Sequence, residues 1–113
     1  MTRWGVGVAL LLSTAAVGAA GPDVSKQYKA AVKLEVASDV LGALEAFERI
    51  PLERRDFNTR LHIAGCKKKL GRFLDAEATY EAIRSDPKAD QPTVDTAASD
   101  LEDLRARIPT VRV

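Results

Sequence analysis

Two stretches of this chain superpose at a fixed offset of 33 residues. Val40 falls on Phe73, Ala43 on Ala76, Phe47 on Tyr80 and Ile50 on Ile83; at the same offset Ala31 falls on Ala64. The shared pattern is a valine or aromatic, then an alanine, then an aromatic four residues on and an isoleucine three after that. A period of 33–34 residues with two helices per unit is the spacing of stacked helical hairpins. Each unit of such a stack buries its apolar face only against its neighbours, so the repeat points away from a single large core.

The periodicity predicts helices around those matches. Val24–Val36 carries Val24, Tyr28, Ala31, Val32 and Glu35, with Ala30 and Leu34, at three-and-four spacing. Asp39 is a natural N-cap for a second helix over Val40–Arg49, and Pro51 stops it. Asp56 or Asn58 caps a third helix running to about Leu70, and Gly71 suits its C-cap. A fourth helix runs from about Leu74 to Arg84 and ends at Asp86-Pro87. A fifth begins near Pro92 or Thr93, capped by Asp90 or Gln91, with Val94, Ala97, Ala98, Leu101, Leu104 and Ile108 on its apolar face. The expected fold class is all-α: two hairpins over about 24–50 and 57–86, and a capping helix over about 92–108. Gly42, inside the second helix, is expected to cost about 1 kcal/mol.

At Leu70-Gly71-Arg72-Phe73-Leu74-Asp75-Ala76-Glu77-Ala78-Thr79-Tyr80-Glu81-Ala82-Ile83 the chain resembles the tetratricopeptide repeat family. Gly71 makes the tight inter-helix turn, Ala76 is small where two helices cross, and Tyr80 and Ile83 fill the space between hairpins. The resemblance covers about residues 24–87 and departs from the family in two places. Ser38 stands where the first unit's turn glycine belongs, and Arg60 replaces the large aromatic usual in the first helix of a unit. An unrelated helical bundle with similar patterning is the alternative. The resemblance implies a concave surface lined by Tyr28, Val32, Glu35, Asn58, Leu61 and Lys68, suited to a short peptide or helix of a protein partner. The end of the chain, Ala106-Arg107-Ile108-Pro109-Thr110-Val111-Arg112-Val113, is similar to the junction between such hairpins and a PEGA-type β module in some bacterial exported proteins. On that reading 109–113 is a tail or the start of a missing β module.

The leading residues set the compartment. Met1-Thr2-Arg3 is a short positive region, Trp4 to Val17 is apolar or small, and Val17-Gly18-Ala19-Ala20 supplies small residues for a cut. That is the layout of a signal peptide over residues 1–20. It predicts an exported, periplasmic or extracellular protein; retention of the leader as a membrane anchor is the alternative. Ile63-Ala64-Gly65-Cys66 spells a lipoprotein box, but it lies behind charged sequence with no adjoining apolar run, and reads as a chance match.

Charge is balanced, at 17 basic and 16 acidic residues, so nothing favours nucleic acid or an anionic membrane. Cys66 is the only cysteine and His62 the only histidine, which leaves no zinc ligand set and no disulfide. His62 and Cys66 lie four apart on one helix face, but the sequence shows no third group to orient them. No phosphate loop is present, and no cofactor is expected. Lys67-Lys68-Lys69 reads as a solvated helix face before a C-terminus, or as the wall of a groove for an acidic peptide. The sequence therefore points to a non-catalytic interaction module, with an accessory domain of a cell-envelope protein as the alternative.

Overall fold

The computed structural model describes residues 23–108. The expected signal peptide (residues 1–20) and the tail (residues 109–113) lie outside the described residues. The described chain is all-helical: α1 is Val24–Val36, α2 Val40–Glu48, α3 Phe57–Lys69, α4 Phe73–Arg84 and α5 Gln91–Arg107, with a 3-10 turn at Leu52–Arg54 between α2 and α3.

Capping chemistry sets where these helices start. Four open on an aspartate whose carboxylate accepts the backbone N–H three residues on. Asp23 takes Lys26 at 3.1 Å, Asp39 takes Gly42 at 3.0 Å, Asp56 takes Thr59 at 2.8 Å and Asp90 takes Thr93 at 3.2 Å. Each cap of this kind stabilises a helix by about 1 kcal/mol over alanine. Asp56, not Asn58, is thus the cap of α3, and Asp90, not Gln91, that of α5. Gly42 falls in the first turn of α2 rather than in its interior. Its missing Cβ leaves room for the capping carboxylate of Asp39. At the other end of α2, Arg55 donates from Nε to the Ile50 carbonyl (2.9 Å) and from Nη2 to the Glu48 carbonyl (2.8 Å), which satisfies carbonyls the helix leaves open.

Two turns reverse the chain in the same way. After α1, Ser38 N–H donates to Glu35 C=O (3.0 Å) and Asp39 N–H to Leu34 C=O (2.9 Å). After α3, Gly71 N–H donates to Lys68 C=O (3.0 Å) and Arg72 N–H to Lys67 C=O (2.9 Å). Both are Schellman motifs, and both need a left-handed residue at the same place. Gly71 supplies it at φ 80°; Ser38 is forced into it at φ 67°. The serine that interrupts the glycine pattern in sequence therefore adopts the glycine conformation, with strain of about 1–2 kcal/mol.

The core forms two clusters with α3 between them. Ala31, Ala43, Leu44, Ala46, Phe47, Ile50, Ile63 and Cys66 make the first, from α1, α2 and α3. Ala64, Ala76, Tyr80, Ile83, Ala97, Leu101 and Leu104 make the second, from α3, α4 and α5. Because α3 is packed on both sides, its apolar residues do not gather on one stripe. Every helix contributes one alanine with no exposed surface: Ala31, Ala43, Ala64, Ala76 and Ala97. Ala31, Ala64 and Ala97 lie 33 residues apart, one each on α1, α3 and α5. On α5, Asp95, Thr96, Ser99, Glu102 and Asp103 are exposed. In α1, Ala30 is exposed and leaves the apolar stripe expected of it.

Two substitutions test the shared turn. Ser38→Gly relieves the strained φ and is expected to raise stability by about 1 kcal/mol, whereas Gly71→Ala is expected to lower it by a similar amount. Urea denaturation followed by circular dichroism measures both; equal and small effects at the two sites would refute the common geometry. Ala64→Leu inserts bulk at a fully buried position of the second cluster and is expected to cost about 1–3 kcal/mol in the same assay.

Candidate functional site

A shallow groove of about 300 Å³ runs across the three alternate helices α1, α3 and α5. Glu35 comes from α1, Asn58, Leu61, His62, Lys68 and Lys69 from α3, and Thr96 and Asp100 from α5. Gly65 and the Tyr80 hydroxyl close its floor, since the glycine has no side chain to stand between that hydroxyl and the groove. Four of the six residues expected on a concave surface, Glu35, Asn58, Leu61 and Lys68, line it. Tyr28 stands behind Asn58 and meets the wall through its hydroxyl. Val32 is packed against the first core cluster instead, and Leu61 also packs against the second.

The α1–α3 wall is a connected polar chain centred on His62, a residue absent from the surface that the repeat resemblance implies. His62 Nδ1 lies 2.8 Å from Glu35 Oε1, and His62 Nε2 lies 3.0 Å from the Tyr28 hydroxyl. Asn58 Nδ2 donates to that hydroxyl at 2.6 Å. The His62 ring stacks on Phe47 of α2 with centroids 5.0 Å apart and planes at 19°. Tyr28 meets both rings edge to face. Burial holds the Tyr28 phenol above its ordinary range, with Asp56 and Glu35 adding to the rise and the Asn58 hydrogen bond opposing it, so it stays protonated. The missing third group beside His62 is therefore Glu35, one helix away. In sequence it lies 27 residues off, and only the α1–α3 packing brings it near. The partner on the other ring nitrogen is Tyr28 rather than Cys66.

Cys66 is fully buried, and its Sγ lies 3.9 Å from Glu35 Oε2. Burial pushes its thiol from 9.0 up to about 11, with the Glu35 carboxylate adding to the rise. A thiol so held is a packing group and not a nucleophile near neutral pH.

The three lysines do not form one solvated face. Consecutive helical residues point about 100° apart, so the run fans out over three neighbours. Lys67 bonds Asp75 (2.9 Å) and Thr79 (3.1 Å) on α4, and its side chain is only 13% exposed. Lys68 reaches Asp103 on α5 at 3.5 Å and is 19% exposed. Lys69 alone of the three is open, at 55%, with Glu35 of α1 at 3.8 Å. The solvated-face expectation is thus corrected: Lys67 and Lys68 tie α3 to its neighbours. Arg60, at the position of the usual aromatic, lies over the Phe57 ring at 5.0 Å and bonds Asp86 at 3.1 Å, anchoring the end of the second pair.

A larger hollow of about 520 Å³ lies elsewhere, lined among others by Arg55, Arg60, Ile63, Lys67, Ala78 and Ala82. Its three cations all have partners: Arg55 on the carbonyls that end α2, Arg60 on Asp86 and Lys67 on Asp75. Among the described residues, no group of three or more His, Cys, Asp or Glu side chains is placed to hold a metal ion, and no helix is long and apolar enough to cross a membrane. No family model, no curated protein and no solved structure matches the chain.

The Cys66 environment carries its own test. The fold holds the thiol proton more tightly than the unfolded chain does, so this site's stabilisation is full below pH 9 and is lost as pH rises toward 11. Urea midpoints are expected to fall more steeply above pH 9 in the native protein than in Cys66→Ala. At pH 7.5 a maleimide is expected to label Cys66 only after denaturant is added; rapid labelling of the native protein would contradict its burial.

Proposed function

We propose that this chain is an exported, non-catalytic protein-interaction module, built from tetratricopeptide-like stacked hairpins, that holds a short segment of a partner protein in the groove across α1, α3 and α5. The observation that carries this reading is the groove itself. It is lined from the corresponding helix of successive 33-residue units, and several of its polar groups have hydrogen-bonding capacity to spare. Asn58 spends one amide hydrogen on Tyr28 and keeps its carbonyl oxygen. Lys69 and Thr96 are exposed.

The repeat spacing supports the hairpin reading, as do the two matched turns and the five buried alanines. The polar outer face of α5 suits a helix that ends a stack, since terminal units need a polar face for solubility. The apolar leader followed by small residues supports export. A groove this small favours a short segment and modest affinity, because few side chains can be buried in it.

Peptide selection against the immobilised protein, followed by fluorescence anisotropy on the selected sequences, tests the proposal. Asn58→Ala combined with Lys68→Glu is expected to weaken binding about tenfold or more, since each alters the groove wall. Leu74→Ser, on the exposed surface of α4 outside the groove, is expected to leave it unchanged. Selected peptides that bind the double variant as well as the native protein would remove the groove from the function.

A further inference from the structure

The polar wall has one consistent hydrogen-bond direction, and it begins at a carboxylate. Glu35 can only accept, so the ring nitrogen facing it, Nδ1 of His62, carries hydrogen. In the neutral ring Nε2 then has a lone pair, and the Tyr28 hydroxyl 3.0 Å away donates to it. A phenol hydrogen lies near the plane of its ring and has two positions, and the Tyr28 hydroxyl has two partners within hydrogen-bond distance, His62 and Asn58. With the first taken, Asn58 must donate its amide hydrogen to Tyr28, as its Nδ2 does at 2.6 Å. Its carbonyl oxygen is therefore left for the groove, which Asn58 lines.

We propose that protonation of His62 reverses this chain and turns Asn58 from a hydrogen-bond acceptor into a donor within the groove. The added proton sits on Nε2, which becomes a donor to the Tyr28 oxygen. The phenol hydrogen moves to its other position, toward Asn58. The amide answers by a half-turn, so that its oxygen accepts from Tyr28 and its NH2 faces the groove. No bond to carbon changes, and the only species added is one proton from solvent.

The surroundings are suited to this. Glu35 of α1 stays bonded to Nδ1–H in both states and balances the new charge. The α2 side offers His62 the Phe47 ring, an apolar face that holds the imidazole in plane. On α3 itself the neighbouring groups are Cys66 and Lys69, both directed at Glu35. Asp56, at the head of α3, acts on Tyr28, and Glu48 of α2 acts on Cys66. Across the groove stand Tyr80 of α4 and Asp100 of α5. Tyr28 bonds both the ring and Asn58, so the effect passes through one hydroxyl.

This regulation of the groove rests on the peptide-binding reading. Its test needs no ligand, so the two fail separately. Nitrogen-15 NMR of the native protein at pH 8 is expected to show His62 with hydrogen on Nδ1 and none on Nε2. As acid is added until the His62 ring signals shift, the Asn58 side-chain amide signals are expected to move in step with them. In Tyr28→Phe the ring signals still move, but the Asn58 amide no longer follows them. Hydrogen on Nε2 at pH 8 in the native protein overturns the proposal without any variant, and so does an Asn58 amide that tracks His62 equally well in Tyr28→Phe.

Discussion

The fold depends on five alanines with no exposed surface, one on each helix. A side chain of one carbon lets two helix backbones approach more closely than the usual 8–10 Å range would need for larger residues. Once Ala31 of α1 and Ala43 of α2 share one cluster, little freedom remains in how the chain can pass between them. The connection must reverse within three residues, and a Schellman turn does so only with a left-handed residue. That requirement explains why Ser38 accepts a conformation its side chain disfavours: the packing on either side over-determines it. The turn at Gly71 meets the same requirement without strain, which marks the packing of the flanking helices, and not the turn residue, as the primary constraint.

The special position of α3 is a consequence. It is the one helix that belongs to both core clusters, giving Ile63 and Cys66 to one and Ala64 to the other. Several of its remaining positions are spent on ties to its neighbours, through Arg60 to Asp86, Lys67 to Asp75 and Lys68 to Asp103. Exposed and partly exposed ion pairs contribute little to stability as a rule, so they orient more than they hold. The same applies to Arg105, which bonds Glu77 and Glu81 from α5. What holds α5 is Ala97, Leu101 and Leu104 in the second cluster.

Features written in local chemistry were legible in the sequence. Aspartates before apolar runs, Pro51 and Gly71 placed the helix ends to within a residue or two, and the 33-residue offset paired Ala43 with Ala76. The 3-10 turn at Leu52–Arg54 was not legible, because a proline that ends a helix leaves the conformation beyond it open. Nor was Ser38: serine has no preference for positive φ, and only the match to Gly71 gave the position away. The lysine run misled because a string of like charges reads as one feature, while a helix sends successive side chains to different neighbours. The Glu35–His62–Tyr28 chain was hidden for another reason. Its members lie on α1 and α3, and their meeting depends on how two non-consecutive helices face each other across a groove. The nearest signal was the position of Tyr28 and Glu35 on α1 at seven-residue spacing, two turns apart, which brackets a partner lying between them on the facing helix.

These pairings also bear on what a groove of this kind can read. Glu35 stands beside Lys69, and Lys68 beside Asp103, so the wall carries little net charge despite three consecutive lysines. Attraction between opposite charges already satisfied within the wall contributes little to an incoming segment, and salt screens what remains. On the proposed reading, discrimination then falls to the direction of individual hydrogen bonds. That direction is set on the α1–α3 side by a carboxylate that can only accept, passed through one imidazole and one phenol to an amide. A single proton at the ring is enough to invert it, because the phenol has one hydrogen with two places to put it and the amide has a donor end and an acceptor end to exchange.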